Sequence, residues 1–153
     1  MIYTFKNHQI IKSDFNTVWE FFNDPKHINV LTPPEMKFLT LTKNLPKQIH
    51  ENLEISYNVS PLFGIPLKWK TKITTVVPNE SFIDIQIKGP YNMWHHLHTF
   101  EQVAEGVLMK DEVTYKMPLG IIGRLVHKIL VKNKIEELFA YRTQQIKKCI
   151  ENE

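Results

Sequence analysis

Between Phe82 and Tyr115 three runs alternate apolar and polar residues at period two, divided by the turn signals Gly89-Pro90-Tyr91 and Val103-Ala104-Glu105-Gly106. A period of two sends alternate side chains to opposite faces of a pleated strand, so three such runs with two short breaks predict an antiparallel meander. One face of it has an unusual composition. The middle run contributes Trp94, His96, His98 and Phe100. The flanking runs add Phe82, Asp84 and Gln86 on one side, and Met109, Asp111, Val113 and Tyr115 on the other. Histidines and carboxylates at the centre of an aromatic face are not ordinary core filling.

The turns set a register. Pairing Gln102 with Val107 places His98 opposite Asp111, His96 opposite Val113 and Trp94 opposite Tyr115. Pairing Lys88 with Asn92 places His96 opposite Asp84 and Trp94 opposite Gln86. Directly opposed residues share a face, with Cβ atoms ~5 Å apart. Two His–Asp pairs, Asp84–His96 and His98–Asp111, are therefore expected side by side. A slip of one residue would turn every one of these side chains to the other face.

The rest of the chain supplies a context for that face. Ile2 to Ile11 reads as a strand with Tyr3 and Phe5 on one side. Ser13 or Asp14 offers a helix cap, and Phe15, Val18, Trp19 and Phe22 come after it at helical spacing. Pro25 opens a second short helix, which Pro33-Pro34 ends. Strand patterns then occupy Met36 to Leu41, Asn52 to Ser60 and Leu67 to Val77. In the last of these Leu67, Trp69, Thr71, Ile73, Thr75 and Val77 oppose Lys68, Lys70 and Lys72. From Ile121 the period becomes helical, with Ile122, Leu125, Val126, Ile129, Ile135, Leu138, Phe139, Arg142 and Ile146 along one side. That is a helix of roughly seven or eight turns. Its apolar side needs a partner, and only the sheet is large enough. The expected fold is α+β: a curved antiparallel sheet of about seven strands around a long C-terminal helix, with two short helices after the first strand, as one domain over residues 1–153.

Composition narrows the function classes. The 153 residues are 42% hydrophobic and 23% charged with a net charge of +3, and no Lys/Arg block stands out. A nucleic-acid binder normally shows a concentrated basic footprint, so no nucleic-acid partner is expected. The lone Cys149 excludes an intrachain disulfide framework. No signal-peptide pattern and no apolar run of ~20 residues occurs, so a cytoplasmic protein without stable membrane anchoring is expected.

Local motifs carry a family resemblance. They are Ser13, Trp19, Phe21 and Phe22 with Leu31-Thr32-Pro33-Pro34 after them, the run Pro66-Leu67-x-Trp69-x-Thr71-x-Ile73, and Phe82-x-Asp84-x-Gln86 before Gly89-Pro90. They continue with Trp94-x-His96-x-His98-x-Phe100-Glu101, Asp111-x-Val113-x-Tyr115 before Pro118-Leu119-Gly120, and Phe139-x-Tyr141-Arg142. In these the chain resembles the SRPBCC superfamily, the START-like or Bet v 1-like helix-grip domains, and most of all its small bacterial ligand-binding members. The turn 101–106 departs from the group, which often has more glycine there. The resemblance implies a helix-grip fold with a hydrophobic cavity between sheet and helix. It does not name a substrate, because one fold hosts many activities.

The polar face admits three readings. In the first, the carboxylates only satisfy the histidines and hold strand register. In the second, which is the principal functional reading, the protein binds a small hydrophobic or amphipathic ligand. Asp84, Gln86, His96, His98 and Asp111 orient its polar end against Trp69, Trp94, Phe100 and Tyr115, and Arg142 pairs an aspartate or clamps an anionic head group. In the third, a His–Asp pair among His98, Asp111, His96 and Asp84 acts as general base, as a polyketide cyclase or dehydratase would require. A regulatory protein-interaction module is a further alternative, suggested by an old cell-division-inhibitor label within the resembled group. His-x-His is an acceptable metal spacing, but its usual companions are missing, and neither metal nor cofactor is expected.

Overall fold

The computed structural model describes residues 1–151. Seven strands form one antiparallel sheet in the order β1-β7-β6-β5-β4-β3-β2. They are β1 (Ile2–Ile11), β2 (Leu39–Thr40), β3 (Glu54–Val59), β4 (Leu67–Val77), β5 (Ser81–Lys88), β6 (Met93–Val103) and β7 (Gly106–Lys116). The first strand closes back on the last, Ile2 opposite Lys116 and Ile11 opposite Val107. The N-terminus is therefore fixed beside the start of the C-terminal helix.

Helix α1 (Phe15–Asn23) begins where Asp14 accepts from the Thr17 amide at 2.9 Å and from its hydroxyl at 2.6 Å. This is the cap predicted from the sequence, and it satisfies a donor that the first helical turn leaves free. Val18, Trp19 and Phe22 face inward, and Trp19 meets Phe82 and Phe100 edge-on. The second short helix is a 3₁₀ turn at Pro25–Asn29, and another lies at Pro34–Met36. The strand expected over Met36 to Leu41 shrinks to two residues. Lys37 adopts a left-handed conformation (φ 48°) just before it and breaks the extended run.

Two departures from simple alternation shape the inner surface. In β4 the pairing shifts between Ile73 and Thr75, which oppose Asp84 and Ile83. The extra residue, Thr74, reverses the facing of the rest of the strand. Val76, not Thr75 or Val77, packs on the core, and Val77 is exposed. A bulge of this kind also bends the sheet, which is what wrapping a helix requires.

The second departure is in the helix spanning 120–151. It is α-helical at Gly120–Val126 and Lys132–Ile146, with wider π turns at His127–Val131 and Lys147–Glu151. The buried line is Gly123, His127, Val131, Ile135, Phe139, Ile146 and Ile150. Ile122, Leu125, Val126 and Ile129, expected inside, are exposed. Gly123 explains the choice of face: a side chain there would collide with the Pro118 carbonyl, so the helix packs tightly on the short connection that leads into it. With Gly123 inward, Ile122 and Leu125 are rotated out.

The core has two parts. One gathers Ile11, Val18, Trp19, Phe100 and Val107 with Ile146 and Ile150. The other packs Val131, Ile135 and Phe139 against Val113, Tyr115, Tyr3 and Phe5. Space remains between them.

Candidate functional site

That space is a cavity of about 410 Å³. Its walls are mostly apolar and aromatic, including Phe21, Phe22, Leu31, Phe38, Ile55, Tyr57, Trp69, Ile73, Phe82, Trp94, Met109 and Leu138. The exposed lining residues Glu35, Phe63, Gly64, Lys134 and Glu137 mark its mouth. Trp69 and Trp94 stand edge to face at 5.6 Å, with Tyr91 against both.

Asp84, His96, His98 and Asp111 line the same cavity. Their register is the expected one, with Asp84 opposite His96 and His98 opposite Asp111. Their hydrogen bonds are not. His96 Nε2 bonds Asp111 at 2.7 Å, and His98 Nε2 bonds Asp84 at 2.7 Å. The directly opposed contacts are longer, 3.7 Å for His96 Nδ1–Asp84 and 3.4 Å for His98 Nδ1–Asp111. The imidazoles stack at 3.6 Å. Strand twist skews opposed side chains and brings diagonal neighbours within reach of a long side chain. The result is one crossed tetrad in place of two parallel pairs.

Burial is the largest influence and pushes both carboxyls up, but the hydrogen bonds from His98 to Asp84 and from His96 to Asp111, the two neighbouring imidazoles and the charge of Arg142 together outweigh it. Both acids are held below the usual carboxylate range. His98 is pushed down, by burial first and by the neighbouring His96 next, against the pull of the aspartates. A neutral His98 that donates from Nε2 has a bare Nδ1, and that atom is buried with no hydrogen-bond partner. The tetrad is thus rich in acceptors and poor in donors: two carboxylates offer several lone pairs, whereas a neutral His98 offers one N–H and the His96 ring no more than two. Asp84 is the most accessible of the four side chains at 16%, against 4% for His96, 10% for His98 and 8% for Asp111.

Arg142 reaches the cavity from the C-terminal helix. Its Nε donates to the Leu31 carbonyl at 3.2 Å, and its guanidinium lies 5.2 Å from the centre of the Phe139 ring. Burial lowers its pKa, opposed by Asp111 and Asp84, yet it forms no ion pair among the described residues. A guanidinium and two carboxylates therefore share the cavity without touching.

The other sequence candidates lie elsewhere. Gln86 is off the cavity wall: β5–β6 pairing stops at Ile85–His95, and the Gln86 amide turns to the loop, donating to the Tyr91 carbonyl at 2.6 Å and accepting from its amide at 3.2 Å. Phe100 is buried against Trp19, Phe22 and Phe82. Tyr115 is opposite Trp94 as expected, but its hydroxyl bonds His127 Nε2 at 2.7 Å, away from the cavity. Burial first, then Tyr3, pushes the Tyr115 hydroxyl up to about 12.

Residues not singled out in the sequence complete the polar lining. Asn7 and Gln9 of β1 line the cavity opposite Asp111 and Met109, and Gln9 Nε2 is buried without a partner. Extending the Tyr3, Phe5 alternation by two steps would have found them. Tyr57 bonds Thr71 at 3.0 Å, and burial drives its hydroxyl well above the usual tyrosine range.

No protein-family model matches the chain, and no curated protein does. Solved structures do. The protein CV1439 of Chromobacterium violaceum aligns over 97% of both chains at 15% identity with a TM-score of 0.71. The major latex-like protein 151 of Panax ginseng aligns over 98% of both chains at 14% identity and 0.71. Part of a nucleoside-diphosphate sugar epimerase of Corynebacterium glutamicum also matches, at 20% identity and 0.64, over 93% of this chain but 28% of that one. At such identities the likeness is one of fold: this chain has the Bet v 1-like helix-grip architecture.

Proposed function

We propose that the cavity binds a small amphipathic molecule whose polar end both donates and accepts hydrogen bonds, such as a hydroxyl or phenol on an apolar body. The observation that carries this is the unbalanced tetrad facing an apolar cavity, with Arg142 outside any ion pair of the described residues in the same wall. Pockets for small molecules are concave and mostly apolar, with a few convergent polar groups. The carboxylates want donors and Arg142 wants an acceptor. A simple anion would be repelled by two aspartates and a simple cation by the guanidinium. One hydroxyl placed between them serves both. The helix-grip resemblance supports the same reading.

Native mass spectrometry of protein purified without detergent tests it. A retained small molecule, lost on Arg142→Met or Trp69→Ala, is the expected result. A protein that carries nothing and leaves the fluorescence of an apolar probe unchanged would overturn it.

Catalysis is the second reading, supported by the 2.7 Å His–Asp bonds on the cavity wall. A carboxylate that orients an imidazole raises its basicity. This reading requires turnover of a polyketide-type substrate that Asp84→Asn abolishes while the fold survives.

A further inference from the structure

Most of the exposed large apolar residues gather at one end of the molecule. Strands β3, β5 and β7 end, and β1, β4 and β6 begin, at the same end of the sheet. The loop 60–66, the turn 89–92, the N-terminus and the start of the C-terminal helix therefore assemble there. Phe63 is 82% exposed, Leu119 73%, Ile121 74%, Ile122 64%, Leu125 58% and Ile129 65%. Monomeric proteins seldom leave so many large apolar side chains in one neighbourhood open to water. Phe63 (φ 53°) and Leu119 (φ 63°) also hold left-handed backbone conformations that bulky residues avoid.

Charge says what covers this end. Stretches 55–79, 85–100 and 113–135 contain no aspartate or glutamate. Lys68, Lys88, Lys116, Arg124, Lys128 and Lys132 are all exposed along them. On the helix Arg124, Lys128 and Lys132 form a ridge at four-residue steps beside the ridge Ile121, Leu125, Ile129. A shallow depression lined by Met1, Lys116, Ile121 and Arg124 joins the N-terminus to that helix. The acids of the helix begin with exposed Glu136, one turn beyond Lys132 on the same ridge; Glu137, already paired with Lys134 at 2.8 Å, and Glu35 stand on opposite rims of the cavity mouth. A second copy packed here by two-fold symmetry would oppose lysines to lysines. Nucleic acid would match the charge but would leave the isoleucines and leucines unsatisfied. An apolar helix face edged with lysine and arginine suits the boundary between headgroups and acyl chains of an anionic bilayer.

We infer that this end docks reversibly on anionic lipid membranes, through the first three turns of the C-terminal helix and the Phe63 loop. The inference stands apart from what the cavity holds. If the cavity does bind an amphipath, docking would put one rim of its mouth, Phe63 and Gly64, against the bilayer.

Flotation with phosphatidylcholine vesicles, with and without about one-third phosphatidylglycerol, tests the docking. The expected result is binding only to the anionic vesicles and weakening as salt rises. Lys128→Gln with Lys132→Gln should weaken it roughly twenty-five-fold, about five-fold per charge. Ile122→Ser with Leu125→Ser should weaken it at least about ten-fold. All four positions are exposed, so circular dichroism should remain that of the parent. No binding to anionic vesicles at low salt, or binding that neither double variant changes, overturns the inference. So does a dimer in solution that Leu125→Ser dissolves, which would assign the patch to a second copy.

Discussion

Two clusters of buried histidine sit on the inner face of one sheet, and they are closed in opposite ways. His127 stacks on Tyr3 at 3.5 Å and bonds the Tyr115 hydroxyl at 2.7 Å, with no carboxylate in the cluster. It is a neutral aromatic unit that seals the join between β1, β7 and the helix. The tetrad instead buries two carboxylates against two imidazoles and leaves acceptors and one ring nitrogen unspent. The first cluster satisfies itself and needs nothing from a ligand. The second borders the cavity and cannot satisfy itself with the donors it has. A buried histidine is informative about function only when its partners are counted.

The largest effect should separate the clusters by charge. Asp111→Ala strips His96 of its carboxylate and should cost about 3–5 kcal/mol, the loss typical of one partner of a buried pair. Asp111→Asn should cost far less, and urea denaturation of both variants measures the gap. If both cost the same, the charge has no special role and the contrast with His127 fails.

His127→Ala comes next. It orphans the Tyr115 hydroxyl and should cost about 1–3 kcal/mol, with ligand retention by native mass spectrometry unchanged. A loss of ligand here would show that the closed cluster is not closed. Arg142→Met should invert that pattern. Its guanidinium has no ion pair among the described residues to lose, only the bond to the Leu31 carbonyl and its longer-range pull on the aspartates, so the loss of stability should be about 1 kcal/mol. Affinity for the cavity ligand, read by titration calorimetry, should fall about ten-fold or more through a lost charge-assisted hydrogen bond.

The smallest effect is the pH dependence. His98 and His127 both have folded pKa values below the ordinary 6.5. Below that pH the unfolded chain binds protons that the folded chain resists, so stability present at neutral pH should decline as pH falls through 6.5. Asp84 and Asp111, depressed below 3.8, add the same sign, lost only in stronger acid. Thermal melts from pH 8 to 3 should show one gentle and one steeper decline. His98→Gln should reduce the gentle one, and stability that rises on acidification would contradict the assignment.

Much of the site is legible in the sequence because strand alternation and turn length are local properties. They place Asp84 opposite His96 and His98 opposite Asp111, and these four converge with Trp69, Trp94 and Arg142 on one cavity. The crossing of the hydrogen bonds is not legible, since it arises from twist between strands. Phe100 is placed on the correct face, but α1 covers that part of the face with Trp19 and Phe22, a tertiary fact. The facing of the long helix is ambiguous because both of its sides carry apolar residues near the start. Periodicity alone favours Ile122 and Leu125, whereas the close approach at Gly123 decides against them.

The π turn at His127–Val131 has a consequence that no substitution would reveal. None of its residues touches the cavity. Yet it is a spacer that counts: a π turn holds about one residue more than an α turn, and the facing of Phe139 and Arg142 is set with that residue in place. Deleting one residue would restore an ordinary α turn and keep Phe139 and Arg142 facing inward, whereas inserting one adds a residue the already widened turn has no room for and rotates everything after it by about 100°. Insertions in this segment should therefore be far less tolerated than a single deletion, and would silence the site from a distance.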